Sequence, residues 1–148
     1  MMEIERKFTV KELPELTKYD FHIMEQGYLN TDPVVRARKE DESYYLTYKG
    51  KGLLAREEYN LPLNKEAYYH LVEKSDGIII RKKRYLIPYE KYVIELDVFE
   101  EPYESLIIAE VEFESEEEAA SFQPPEWFEK DVTYDRRYHN SNLSQGLF

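Results

Sequence analysis

Along most of the chain, apolar and polar residues change places at every second position. Over residues 3–10, Glu3, Glu5 and Lys7 alternate with Ile4, Phe8 and Val10. Side chains two apart share one face of a β-strand, so this spacing predicts a strand with one charged and one apolar side. The same alternation predicts strands over 22–29, 34–39, 44–49, 55–63, 78–87, 92–99 and 106–114. Gly50-Lys51-Gly52 supplies a flexible turn between two of them. Helices are expected only where a cap starts one. Asn64 can cap a helix running to about residue 74, with Tyr68, Leu71 and Val72 on its packing side. Ser115, with Glu118 three residues on, reads as a capping box for a short helix to about residue 122. Pro124-Pro125 ends that helix, and a last short helix is expected over 135–143. Strands dominate, so the class is α+β on a mostly antiparallel sheet.

The charged sides of these strands are sorted by sign. Glu3/Glu5, Glu95/Asp97 and Glu110/Glu112 are acidic pairs; Arg36/Arg38 and Lys82/Arg84 are basic pairs. Any one such pair is ordinary on the wet face of an antiparallel sheet. The set is less ordinary, because a surface shaped only for solubility intersperses its charges. The apolar sides also need cover that few helices can supply. A sheet closed into a barrel, charged faces inward and apolar faces outward under the helices, satisfies both demands and leaves no open edge. Charges inside a barrel require compensation. Clustered carboxylates suit Mg²⁺ or Mn²⁺, which prefer oxygen ligands. Clustered Arg and Lys suit phosphate oxygens. Together they suit phosphoryl transfer, which needs charge neutralisation, in-line positioning and an activated water.

Composition narrows the choice. A chain of 148 residues, 42% hydrophobic and 15% aromatic, can build a real core despite 34% charged residues, and one domain over 1–148 is expected. There is no cysteine, which excludes disulfides and thiolate metal sites. His22, His70 and His139 form no metal-ligand spacing and read as surface or packing residues. A net charge of −11 argues against a general nucleic-acid binder, although local charge decides whether a polyanion can bind. No apolar run approaches the roughly 20 residues that span a bilayer. The start, Met1-Met2-Glu3-Ile4-Glu5-Arg6-Lys7, is not a signal peptide, so a soluble, cytoplasmic protein is expected.

Glu3-Ile4-Glu5-Arg6-Lys7 resembles the N-terminal Glu-x-Glu-x-Lys signature of the CYTH superfamily, the triphosphate tunnel metalloenzymes. Val35-Arg36-Ala37-Arg38, Leu46-Thr47-Tyr48-Lys49-Gly50, Arg56-Glu57-Glu58-Tyr59 and Lys82-Lys83-Arg84-Tyr85 match in order. So do Glu95-Leu96-Asp97-Val98-Phe99, Ala109-Glu110-Val111-Glu112-Phe113 and the ending from Val132 to Asn140. The resemblance covers essentially the whole chain. It implies a closed eight-stranded antiparallel β-barrel, with a few short helices packed outside, that binds a triphosphate and a divalent metal.

Carried over by position, the resemblance makes Lys7, Arg36, Arg38, Lys49 and Arg84 the substrate contacts. Lys82 and Glu5 take catalytic roles, and Glu3, Glu5, Glu58, Asp97, Glu110 and Glu112 form the metal side. Glu95 is a peripheral addition to that metal side, and Tyr28 and Arg56 share faces with these residues without an assigned role. Asn60 stands where related chains often carry an acid. The short bacterial members with this ending resemble inorganic tripolyphosphatases, so hydrolysis of tripolyphosphate to pyrophosphate and phosphate is the leading expectation, with ATP and thiamine triphosphate as other substrates. A class IV-type adenylate cyclase, a non-catalytic triphosphate sensor and a purely structural β-domain remain as alternatives.

Overall fold

The computed structural model describes residues 1–146. The alternating segments form β1 (Met2–Val10), β2 (Phe21–Thr31), β3 (Val34–Glu40), β4 (Ser43–Lys49) and β5 (Ala55–Leu63), then β6 (Asp76–Tyr89), β7 (Tyr92–Phe99) and β8 (Ile107–Phe113). All eight predicted strands are present. Neighbours hydrogen-bond antiparallel in the order β5-β4-β3-β2-β6-β7-β8-β1, and β1 returns to β5. The sheet is therefore a closed eight-stranded barrel. The seam is short: Met2, Glu3 and Ile4 face Glu57, Arg56 and Ala55. Sequence alternation missed β9 (Phe128–Asp131), which pairs with the far end of β1 as a ninth strand outside the barrel. Four residues after a Pro-Pro break are too few to show a period.

Both predicted caps hold their helices. Asn64 Oδ1 accepts the Ala67 amide at 2.8 Å and starts α1 (Lys65–Val72). Ser115 Oγ accepts the Glu118 amide at 3.1 Å and starts α2 (Glu116–Ser121). Satisfying an otherwise orphaned amide in this way contributes about 1 kcal/mol per cap. The tail differs from a single helix: a 3₁₀ turn (Arg136–Tyr138) precedes α3 (Asn140–Ser144).

The apolar strand faces point outward and are covered only in part. Helices and β9 shield those of β1, β7 and β8 and the patch of Ala37 and Tyr44. Ile23, Tyr48, Tyr59 and Leu61 of β2, β4 and β5 stay exposed, because three short helices cannot wrap the whole barrel. Phe8, Ile94, Leu96, Val111 and Phe113 pack under Ala119 and Phe122 at α2 and under Phe128 of β9. Ala37 and Tyr44 pack under Tyr68 of α1. One end of the lumen departs from the charged pattern. Ile80, Phe99 and Ile108 lie in register with the charged faces yet form an apolar cluster with Leu106, closed by Leu143 of α3, whose side chain is completely buried. Two contacts fix this plug. Tyr103 Oη donates to the Leu143 carbonyl at 2.7 Å. Gly77 lies so close to α3 that an added Cβ would sit 2.0 Å from the Ser144 carbonyl oxygen. Among the described residues, no helix is long and apolar enough to cross a membrane.

Candidate active site

The lumen holds a cavity of about 190 Å³ whose lining is almost entirely polar and mostly charged. Ring order explains how its charges are arranged. Strands β7, β8 and β1 are consecutive and bring Glu95, Glu110, Glu112, Glu3 and Glu5 onto one arc. Strands β6, β2, β3 and β4 are also consecutive and bring Lys82, Arg84, Arg36, Arg38 and Lys49 onto the other. Lys7 and Glu58 sit within the opposite-signed neighbourhoods and link the two.

Where the arcs meet, the charges pair. Arg84 donates to Asp97 through Nε at 2.8 Å and through one terminal nitrogen at 2.9 Å, and to Glu110 at 2.7 Å. Lys82 donates to Asp97 at 2.7 Å and to Asn140 Oδ1 at 3.0 Å. Lys7 is held by Glu110 and, at 3.2 Å, by Glu5. Lys49 pairs with Glu3 at 2.8 Å and lies 3.4 Å from Glu58. Asp97 is the exception among the expected metal-side acids. It does not line the cavity, is fully buried, and spends both oxygens on Lys82 and Arg84. Its geometry is that of a support for those two cations.

Two cations have no carboxylate partner. Arg36 is buried, reaches only the Tyr28 hydroxyl at 3.4 Å, and its Nε is the one buried side-chain nitrogen or oxygen among the described residues without a hydrogen bond. Arg38 donates through Nε only to the neutral Gln26 Oε1, at 2.8 Å. Burial, with Arg36 and Arg84 nearby, pushes the Arg38 guanidinium down to about 10. Leaving a charge buried and unpaired is costly, so a site of this kind is completed by a ligand of opposite sign.

The acidic arc has the converse surplus. Burial, then Glu110 and Glu3, raises the Glu5 carboxyl above its ordinary value. Burial, then Glu3 and Glu5, pushes Glu112 up to about 7. Among the described residues no three carboxylate or imidazole side chains stand together as a ready-made cation cage. The donor chemistry nevertheless fits a hard divalent cation, since the surplus consists of oxygen ligands alone and lies beside the anion-demanding arginines.

Lys82 is completely buried, and its desolvation pushes the ammonium down to about 7 against the pull of Asp97. Its orientation depends on residues that charge patterning did not single out. Asn140 Oδ1 accepts from Lys82 and, at 3.1 Å, from Gln26 Nε2, so the tail, β2 and β6 meet at one oxygen. Ser141 and His139 also line the cavity. His139 bonds through Nε2 to the Thr133 carbonyl at 3.0 Å, and burial pushes its imidazole down to about 4. Asn60, in place of a carboxylate, accepts the Thr47 hydroxyl at 2.6 Å.

Lumen guanidiniums without counter-ions on one arc (Arg36 buried, Arg38 half-buried), and surplus carboxylates on the other, define a class: closed barrels whose lumen is built from ions. The chain belongs to the CYTH domain family, whose model matches residues 1–145. It is 38% identical over 154 residues to an inorganic triphosphatase of Nitrosomonas europaea, covering 99% of each chain. It is 37% identical over 148 residues to an inorganic triphosphatase of Acetivibrio thermocellus, covering 95% of this chain and 92% of that one. The crystal structure of the inorganic triphosphatase NE1496 superposes with a TM-score of 0.72 at 35% identity, over 99% of this chain and 95% of that one.

Proposed function

We propose that this chain hydrolyses inorganic triphosphate to pyrophosphate and orthophosphate, with Mg²⁺ or Mn²⁺. The observation that carries the proposal is the pair Arg36 and Arg38: two guanidiniums in the lumen with no carboxylate partner. In a chain with 31 acidic and 20 basic residues, such a pair marks a place kept for an external anion. Arg36, Arg38, Lys49, Arg84 and Lys7 ring the cavity and would bind the phosphate oxygens, the arginines through forked donors. Inorganic triphosphate suits the lining better than a nucleotide does. Tyr28 is the one aromatic residue that lines the cavity among the described residues, and its hydroxyl accepts from Gln26 at 3.2 Å. Among the described residues this cavity presents no exposed ring for a base to stack on, since Tyr28 and His139 are both buried.

Glu3, Glu5, Glu58, Glu110 and Glu112 would hold the divalent cation. Bound there, it would screen phosphate charge and lower the pKa of a water. Asp97 holds Lys82 and Arg84 in place from behind. Lys82, with its proton affinity near neutrality, can take a proton from the attacking water or give one to the leaving oxygen. Water oxygen bonds to a terminal phosphorus, the phosphoanhydride bond breaks, and its electron pair leaves on pyrophosphate. The apolar plug of Leu143, Ile80, Phe99 and Ile108 keeps bulk water from that end of the lumen.

The test is phosphate release from inorganic triphosphate, ATP and thiamine triphosphate, each with Mg²⁺, Mn²⁺ or EDTA. Fast release from inorganic triphosphate that EDTA abolishes is the expected outcome. No release from inorganic triphosphate with either metal, by folded protein, would refute the assignment.

A further inference from the structure

The cavity is flanked by two chambers of opposite character, each sharing part of its lining. On one side it shares Glu95 and Glu112 with a chamber of about 270 Å³ that Glu114 and Glu118 also line, with Lys91 as its one cation. On the other it shares Val34, Arg56, His139 and Ser141 with a chamber of about 340 Å³. This second chamber lies between the Gly50–Leu53 turn and the tail, and its charged lining is Lys51, Arg56, Arg136 and the single acid Asp32. Lys51 and Arg136 are exposed, and neither side chain has a hydrogen bond, ion pair or ring contact among the described residues. Arg56 reaches Glu3 only at 3.9 Å. His139, whose imidazole burial pushes down to about 4, adds no charge of its own at neutral pH.

Lys51 and Arg136 thus stand together on one side of the cavity, beside Arg56, with Asp32 as the one acid in the chamber's lining. The geometry points to this chamber as the anion port of the tunnel: the triphosphate enters between the Gly50–Leu53 turn and the tail, drawn by Lys51 and Arg136. The inference rests on the triphosphatase reading and adds a route and two specificity-determining residues to it. A triphosphate approaching the opposite chamber would meet Glu95, Glu112, Glu114 and Glu118. A single-signed cleft with low-dielectric walls concentrates oppositely charged ligand and speeds encounter. Arg56, lining both spaces, would pass the anion inward to Arg36 and Arg38. The turn that carries Lys51 is fixed by Gly52, whose φ is +122° and where an added Cβ would sit 2.2 Å from the Ala55 carbonyl oxygen, so no side chain fits.

The experiment compares wild type, the double variant Lys51→Glu/Arg136→Glu and the control Glu114→Gln, all with inorganic triphosphate across a salt series. At low ionic strength the double variant should lose about tenfold or more in kcat/KM, with kcat within about twofold, and salt should erase most of the deficit. Glu114→Gln should leave kcat/KM within about twofold of wild type. Equal efficiencies for all three proteins at low salt would overturn the port. So would a loss confined to kcat that salt does not change. Calorimetric titration of metal-free protein with triphosphate separates the two proposals. A wild type that binds triphosphate yet releases no phosphate when Mg²⁺ or Mn²⁺ is supplied defeats the hydrolase reading, and the port then stands or falls on whether the charge reversal weakens that binding.

Discussion

The residues that do most to define the lumen are those lacking a partner. Lys82, Arg84, Lys7 and Lys49 are each matched to carboxylates within the barrel. Arg36 and Arg38 are not, and a bound phosphate chain would supply what they lack. Arg38→Ala should therefore raise KM for triphosphate by roughly tenfold to a hundredfold, the equivalent of one lost charged hydrogen-bond site at about 1.5–3 kcal/mol. It should not unfold the protein, because Arg38 has no internal ion pair to break; steady-state kinetics beside a melting curve checks both halves. His139 makes a pH prediction. Its folded value of about 4 lies below the ordinary value near 6.5, so the unfolded chain binds the proton first as pH falls. Stability is then lost between about pH 6.5 and pH 4, by at most about 3 kcal/mol from this group. Urea unfolding at pH 7 and pH 5 should show a smaller acid loss for His139→Gln than for wild type. Charged site residues were legible in the sequence because their two-residue spacing is itself a signal. Gln26, Asn140 and Ser141 were not, since a neutral polar residue on a strand or in a tail looks the same whether it lines a cavity or faces solvent.

At the scale of elements, α3 does more than its five residues suggest. Leu143 closes the end of the lumen on Ile80, Phe99, Leu106 and Ile108, and Asn140 from the same helix holds Lys82. Leu143→Ala removes the buried side chain of the plug and should cost about 2–4 kcal/mol, seen as a lowered melting temperature. Because Asn140 rides on the displaced helix, triphosphate hydrolysis should fall as well; loss of stability with unchanged kcat would separate the plug from the site. Neither role could be foreseen. Alternation assigns Ile80, Phe99 and Ile108 to the same faces as Lys82, Asp97 and Glu110, and nothing in a period of two says which level of a barrel is filled with hydrocarbon. The capped helices were legible for the opposite reason, as Asn64 and Ser115 act on amides three residues away. Strand β9 lay below the length at which pattern can speak.

For the whole molecule, ring order turns charges sorted along the sequence into charges sorted around an axis. The acidic strands β7, β8 and β1 are contiguous only because β1 closes against β8, a pairing between residues about a hundred positions apart, such as Glu5 with Glu112. Patterning indicated closure, since the apolar faces outnumber the helices that could cover an open sheet. It could not place the seam. The β1–β5 seam sets Glu3, on the acidic arc, against Lys49 of β4.

The seam also bears on how the chain is made. Strand β1 hydrogen-bonds to β8 along one side and to β5 and then β9 along the other, so every partner of this early segment lies downstream. During synthesis it leaves the ribosome with both edges bare and stays so until β5, and then β8 and β9, have followed. An unpaired strand is a template for other chains, and charged side chains are a common guard against that. Glu3, Glu5, Arg6 and Lys7 place four charges in five consecutive positions. Three of them, Glu3, Glu5 and Lys7, later line the tunnel, so the same charges can guard the bare strand before any tunnel exists.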